Sequence, residues 1–141
     1  MAATVGAPGA AALLSGAAVP VPDNCRCLVL GAGGFIGINL CLTLAEAGAA
    51  VTGMGRAAAP PAALRGRVRW VRADAERLAD PDSAVADHTH LFDLVGAGLP
   101  NSSNDDPAQA VADGLPGRIR LLESCRRRGT ARILYASSGG T

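Results

Sequence analysis

Short apolar runs alternate with helical periodicities along most of the chain. Residues 26–30 form a nearly continuous apolar run that ends at Gly31, a pattern typical of a strand buried on both faces. From Phe35 onward the apolar residues recur at helical spacing, and Gly48 lies where a glycine commonly ends a helix. The pattern therefore predicts a strand, a glycine-containing loop and a helix in that order.

The same reading continues toward the C-terminus. Further strands are predicted at 49–52, 68–71, 91–95 and 133–136. A short helix is predicted at 82–86 after Pro81, and a long one at 107–128 with Ile119, Leu122 and Cys125 on its apolar face. Because strands and helices alternate, we predict an α/β fold. The sheet is predicted to be parallel, with helices on both faces.

The first 24 residues differ from the rest in composition. Residues 1–24 are rich in Ala, Gly and Pro and contain no basic residue, so they lack the positive segment of a secretory signal. No stretch reaches the about 20 apolar residues that a membrane span needs. We therefore expect a flexible leader over 1–24, a folded domain over 25–141, no membrane partner and a cytoplasmic location.

Composition narrows the possible chemistry. A hydrophobic fraction of 49% with 18% charged residues is typical of a globular protein, and a net charge of +1 gives no electrostatic reason for nucleic-acid binding. All 13 basic residues are Arg, so these residues cannot by themselves complete a reaction that needs a lysine ammonium. The four Cys are predicted to be reduced and mostly buried, and the two His are too few to predict a metal site.

The loop after the first strand has the chemistry of a phosphate site. Gly31, Gly34 and Gly37 follow the spacing G-x-x-G-x-x-G between a predicted strand and a predicted helix. Gly31 permits a tight turn, Gly34 lets the backbone approach a pyrophosphate, and Gly37 allows close packing of helix on strand. The N–H groups of Phe35 and Ile36 would then point at the phosphates from the positive end of the helix.

This loop resembles that of the extended short-chain dehydrogenases/reductases, the NAD-dependent epimerase/dehydratase family that acts on sugar nucleotides. Other stretches resemble family motifs and occur in the family's order: Asp74, then 94–96, 100–107, 121–126 and 135–141. The resemblance covers about residues 25–141. It implies that they form a partial NAD(P)-binding domain, a Rossmann-type, doubly wound parallel sheet that is truncated after the fifth strand. It implies the NAD(P)-binding part of an enzyme similar to UDP-glucose 4-epimerase, with transient hydride transfer on a nucleotide sugar and a possible homodimer.

The resemblance also implies individual roles. Asp74, with Ala75 beside it, corresponds to the position that contacts adenine in the family. Val95 and Gly96 correspond to the turn beside the cofactor, and Ser137 belongs to the motif that ends the fifth strand.

The family's catalytic residues are the least complete part of the resemblance. Its members use a Ser or Thr, a Tyr base and a Lys four residues beyond that Tyr, which lowers the tyrosine pKa. The single tyrosine here, Tyr135, lies in a predicted strand and has Gly139 four residues on, so we expect a core residue rather than the base. Gly139 also occupies the usual Ser/Thr position, which leaves Ser138 and Thr141 as catalytic candidates.

The expectation is therefore a fragment that ends before the Tyr-Lys pair and is inactive by itself. The alternative is a non-catalytic NAD(P)-binding regulatory module. The codons after Thr141 would discriminate between the two: a continuing frame that encodes Tyr-x-x-x-Lys supports the enzyme, and a stop supports the module.

The end of the second strand bears on the choice of dinucleotide. An NAD site usually has a carboxylate there, which binds the adenosine ribose, but the corresponding residue is Gly55 and Arg56 follows it. No carboxylate occurs between Glu46 and Asp74. A guanidinium suits a 2′-phosphate, so the sequence favours NADP over NAD. If Arg56 is only a solvated loop residue, either dinucleotide would bind.

Three positions depart from the family pattern. Asp93 replaces a His before the turn at 94–96, and Gly114 replaces an Asn in the long helix. Pro116 removes a backbone donor, so we expect it, with Gly114 and Gly117, to kink or loosen that helix.

Overall fold

The computed structural model describes residues 21–96, 107–130 and 132–137. Most of the predicted leader and the polar loop at 100–106 lie outside the described residues. So do both catalytic candidates, Ser138 and Thr141, and Gly139. The first described residues form a turn before the sheet, in which the N–H of Cys25 donates to the carbonyl of Pro22 at 3.2 Å.

Five parallel strands form one sheet. They are β1 (Arg26–Leu30), β2 (Ala50–Gly55), β3 (Arg69–Arg72), β4 (His90–Asp93) and β5 (Arg132–Tyr135). Their order across the sheet is β3-β2-β1-β4-β5, and each neighbouring pair is parallel. The predicted Rossmann-type, doubly wound sheet is confirmed. After β1 the chain adds β2 and β3 on one side of it, and then crosses to the other side to add β4 and β5.

The helices cover both faces of the sheet. They are α1 (Phe35–Glu46), α2 (Pro81–Val85) and α3 (Pro107–Arg128), with a short 3₁₀ turn at Ala62–Leu64. Gly48 follows α1 with a φ of 92°, as the sequence predicted. Asp80 caps α2, since its side chain accepts a hydrogen bond from the N–H of Ser83 at 3.1 Å.

Strand β1 contributes to two separate hydrophobic cores. Cys27 and Val29 pack with Cys41 of α1 on one face, whereas Leu28 packs with Leu121 of α3 on the other. Because side chains alternate along a strand and both faces are covered, nearly every position of β1 has to be apolar. This explains why the sequence of the strand is a nearly continuous apolar run.

All four cysteines are buried and unpaired by disulfide bonds. Burial raises the pKa of the Cys27 thiol to about 12 and that of Cys41 to about 11. These thiols therefore stay protonated at neutral pH and act as small apolar side chains.

The predicted apolar face of α3 was partly wrong. Cys125 is buried, but Ile119 and Leu122 are about half exposed. Among the residues of α3 whose burial the structure describes, the buried ones are Gly117, Leu121, Ser124 and Cys125. A Cβ at Gly117 would overlap the backbone of Glu76, so the helix packs through a glycine and a serine that a search for apolar residues passes over.

The predicted loosening of α3 is not observed. The helix is continuous from Pro107 to Arg128 and includes Pro116. Pro116 lies on the exposed side of the helix, where water can satisfy the carbonyl that its missing N–H leaves unpaired.

Candidate functional site

The glycine loop connects β1 to α1 at the centre of the sheet. Gly31 has a φ of 74°, which favours glycine, and its carbonyl accepts from the N–H of Gly34 at 3.0 Å. The N–H of Ala32 donates to the carbonyl of Met54 at 3.1 Å and attaches the loop to β2. A Cβ on Gly37 would overlap the carbonyl oxygen of Gly31 and lie 2.7 Å from the Cα of Ala32. Gly37 therefore lets the first turn of α1 pack directly on the backbone of the glycine loop.

The N-terminus of α1 is open to a ligand. Gly34 is its N-cap, so no side chain caps the helix, and its first turn contains no acidic residue. The N–H groups of Phe35 and Ile36 begin the helix and have no partner within it. A Cβ on Gly34 would meet only the carbonyl of Gly31, at an ordinary 3.4 Å, so the protein itself does not require glycine there. These features suit an anion that approaches the backbone closely.

A cleft of about 510 Å³ lies at the carboxyl ends of the strands. It is lined by Gly31, Gly34, Met54, Gly55, Arg56, Ala73, Asp74, Ala75, Glu76, Leu94, Val95 and Gly96. The loops that follow β1 and β4 both reach it, and the winding direction of the chain reverses between these two strands. In open α/β sheets, such a switch point is where ligands bind.

The structure brings most of the predicted cofactor-binding residues together. Seven of them line the cleft: Gly31, Gly34, Arg56, Asp74, Ala75, Val95 and Gly96. Phe35, Ile36 and Gly37 form the first turn of α1 beside the cleft. Ser137 is exposed just beyond β5 and is not among the lining residues.

Asp74 is held in a tight turn at the rim of the cleft. One oxygen of its carboxylate accepts from the N–H of Glu76 at 3.1 Å, and its carbonyl accepts from the N–H of Arg77 at 3.1 Å. The turn fixes an acidic acceptor beside Ala75, the arrangement that an amino-substituted heterocycle would need.

Gly55 and Arg56 line the cleft at the end of β2. Gly55 is the last residue of β2, and the exposed Arg56 follows it. Within the part of the chain that the structure describes, the guanidinium of Arg56 has no hydrogen bond or ion pair. It is therefore available to a bound anion.

Arg118 of α3, which the sequence did not indicate, ties the ends of β4 and β5 together. Its Nε lies 2.9 Å from Oδ2 of Asp93, in an ion pair whose carboxylate side chain is 6% exposed. A terminal nitrogen donates to the carbonyl of Val95 at 2.8 Å, and the other donates to the hydroxyl of Tyr135 at 3.1 Å. The N–H of Val95 in turn donates to Asp93 at 3.1 Å. Arg118 thus fixes the strand end that lines the cleft.

Two sequence-based expectations change here. The strand predicted at 91–95 ends at Asp93, which replaces the family's His and whose charge is balanced by Arg118. Tyr135 lies in β5 as predicted but is not a core residue, since it is 52% exposed. Its ring lies 4.9 Å beneath the guanidinium of Arg118, in addition to the hydrogen bond.

Histidines, cysteines and carboxylates elsewhere in the described part of the chain do not form a metal site. No three His, Cys, Asp or Glu side chains within the described ranges could hold a metal ion. Burial lowers the pKa of His88 and of His90, so both imidazoles are neutral at pH 7. No helix in the described part of the chain is long and apolar enough to cross a membrane.

Comparisons with known proteins agree with this architecture. The model of the NAD dependent epimerase/dehydratase family matches residues 27–141. The UDP-glucose 4-epimerase of Thermus thermophilus, solved with NAD, is 28% identical with a TM-score of 0.69; the match covers 82% of this chain and 38% of that one. MoeE5, solved with UDP-glucose and NAD, is 28% identical with a TM-score of 0.66, over 81% and 36% of the two chains.

A more distant structure shares the fold. Uronate dehydrogenase from Agrobacterium tumefaciens is 24% identical with a TM-score of 0.63, and the match covers 81% of this chain and 41% of that one. The chain thus spans well under half the length of these solved structures. A search of curated protein sequences gave no match.

Proposed function

The chain belongs to the NAD-dependent epimerase/dehydratase family, and we propose that it forms the dinucleotide-binding portion of an enzyme acting on a nucleotide sugar. The observation that carries the proposal is the cleft where the glycine loop, the open N-terminus of α1 and Asp74 meet. A bound NAD(P) would supply a hydride acceptor that oxidises a sugar carbon transiently and returns the hydride. The relatives solved with NAD, one of them also with UDP-glucose, support this assignment.

Different residues of the cleft would bind different parts of the cofactor. The N–H groups of Phe35 and Ile36 would bind the pyrophosphate, which the missing side chain at Gly34 allows to approach. Asp74 would accept from the amino group of adenine, and Val95 would flank the cofactor at the end of β4. Catalytic roles for Ser138 and Thr141, and a cofactor contact of Ser137, remain part of the proposal.

Dinucleotide binding by this chain is the direct test. Isothermal titration calorimetry with NADP, NAD and flavin mononucleotide would compare two nicotinamide dinucleotides with a flavin. Binding of a nicotinamide dinucleotide with no binding of the flavin supports the proposal. Binding of the flavin alone would overturn it.

Arg56 is proposed to favour NADP by pairing with the 2′-phosphate. Replacing Arg56 by Ser should weaken NADP binding about tenfold or more, the effect of losing one charge-assisted hydrogen bond, and leave NAD binding unchanged. Arg65→Ser removes an exposed guanidinium that does not line the cleft and should change neither affinity. Equal loss of NADP affinity in both variants, or tighter binding of NAD than NADP by the wild-type chain, would contradict this role.

A second copy of the chain is proposed to cover α3. Val111, Leu115, Ile119 and Leu122 are each about half exposed and repeat along one side of the helix. An apolar stripe of this kind at helical spacing favours packing against another helix.

If α3 forms the dimer interface, substitutions at two neighbouring positions of this helix should affect the oligomeric state differently. Ile119→Glu should shift the protein from dimer to monomer in analytical ultracentrifugation, because it puts a charge within the stripe. Arg120→Glu, one residue away and outside the stripe, should leave the dimer intact. A wild-type chain that stays monomeric at high concentration would rule out the dimer.

The proposed location is the cytoplasm. The four cysteines are buried and free, and proteins of reducing compartments keep their thiols in this state. Fractionation of cells that express a tagged chain would test the location.

A further inference from the structure

The indole of Trp70 occupies the space beside Gly55. A Cβ built on Gly55 would lie 2.8 Å from Cη2 and 2.9 Å from Cζ2 of Trp70, closer than real Cβ contacts. The φ of Gly55 is outside the left-handed region, so its backbone conformation does not require glycine. The absence of a side chain at position 55 is therefore explained by the indole ring.

The ring is held in this place from several sides. Trp70 of β3 is paired in register with Gly53 of β2, and a Cβ on Gly53 would lie 3.2 Å from the ring. Its Nε1–H donates to the carbonyl of Ala57 at 3.1 Å. The far edge of the ring reaches the glycine loop, where a Cβ on Gly33 would be in contact at 3.7 Å. The indole cannot swing away from Gly55 without losing its hydrogen bond and its packing.

Position 55 is where an NAD site of this type has its carboxylate. An Asp or Glu there would need the volume that the ring fills, next to the glycine loop. The hydrogen bond to Ala57 also fixes the backbone immediately after Arg56, the cation that lines the cleft.

We propose that Trp70 determines the dinucleotide specificity of the cleft. Its indole excludes an acidic residue at position 55, which removes the usual acceptor for the ribose 2′-hydroxyl. Through Ala57, it also holds Arg56 at the cleft, so that the site selects an adenosine ribose with a 2′-phosphate. This inference rests on the proposed dinucleotide binding. Trp70 acts through Gly55 and Arg56 and is a positioning residue.

The steric part can be measured without any ligand. Gly55→Ala should lower the melting temperature strongly in the wild-type background, because the added methyl overlaps the ring. The same substitution should have a much smaller effect in a Trp70→Leu background, where the ring is gone. Equal effects in the two backgrounds would overturn the exclusion, since the two substitutions would then be independent.

The specificity part is measured by calorimetry with NADP and NAD. Trp70→Leu alone should weaken NADP binding by releasing the segment that carries Arg56. Trp70→Leu combined with Gly55→Asp should shift the NADP-to-NAD affinity ratio toward NAD about tenfold or more, because a carboxylate then has room to accept from the 2′-hydroxyl. Gly55→Asp alone should give a destabilised chain with no gain in NAD affinity.

Several results separate this inference from the proposed function. If Gly55→Asp alone folds like the wild type and binds NAD more tightly, the indole is not the barrier and the inference fails. An unchanged affinity ratio in the folded double variant would also overturn it. If the wild-type chain binds neither dinucleotide, the proposed function fails, and the melting temperatures still decide whether Trp70 excludes a side chain at position 55.

Discussion

Gly37→Ala is expected to destabilise the chain by about 3 kcal/mol or more, the upper range for forcing extra atoms into a packed site. The new Cβ would overlap the carbonyl oxygen of Gly31 and lie 2.7 Å from the Cα of Ala32. Both neighbours are backbone atoms in the tight loop, so neither can move without disturbing the contact between β1 and α1. For a domain of this size, the loss should lower the melting temperature by roughly 10 °C or more in thermal unfolding followed by circular dichroism.

Gly34→Ala is the matched control. It should leave folding intact and impair NADP binding instead. Its Cβ would make only one ordinary contact, 3.4 Å from the carbonyl of Gly31, so the chain should fold normally. The methyl group would instead occupy the approach to the N–H groups that begin α1, and NADP should no longer stabilise the variant. A Gly34→Ala chain that binds NADP like the wild type would contradict cofactor binding at the N-terminus of α1. A Gly37→Ala chain with a wild-type melting temperature would contradict the close packing of Gly37 on the loop backbone.

Arg118→Met is expected to cost about 3–5 kcal/mol, because it leaves the buried carboxylate of Asp93 without its counter-charge. Urea unfolding would measure the free energy of unfolding, with Arg126→Met as the control. Arg126 pairs with Glu123 at 3.0 Å on the exposed side of the same helix, and removing that pair should cost only about 0–1 kcal/mol.

A double variant separates the ion pair from the packing around it. Combining Arg118→Met with Asp93→Leu replaces both charges by apolar groups and should recover part of the stability lost in Arg118→Met. The recovery should be incomplete, because the bonds to Val95 and Tyr135 are still lost. If Arg118→Met lowers the free energy of unfolding no more than Arg126→Met does, the ion pair with Asp93 does not stabilise the end of β4.

The fold could be predicted because a parallel sheet covered on both faces makes its strands apolar. β1 was recognised from its apolar run and α1 from its spacing, and the glycine loop followed from the residues between them. Val95 was assigned to the cofactor site through the resemblance to the family. It lies in the same cleft as Arg56 because the carboxyl ends of parallel strands meet at one edge.

The parts that could not be predicted depend on contacts without a local pattern. The face of α3 was misassigned because its closest contact is made by Gly117, which has no side chain to count. Asp93 could be identified only as a departure from the family pattern, because its partner, Arg118, is on another element. Gly55 was recognised as a missing carboxylate, but the reason for it, the ring of Trp70, depends on strand register.

The buried ion pair at the end of β4 also limits the order in which its two charges could have been acquired. An arginine at position 118 without its partner has a long stem that can carry the guanidinium toward water. An aspartate at position 93 without its partner has no such reach, because the position is buried within the sheet. Asp93→Asn should therefore be tolerated better than Arg118→Met. If the urea experiments show this asymmetry, a chain with Arg118 alone is the more stable intermediate. The arginine could then have been acquired first, and the aspartate only after it.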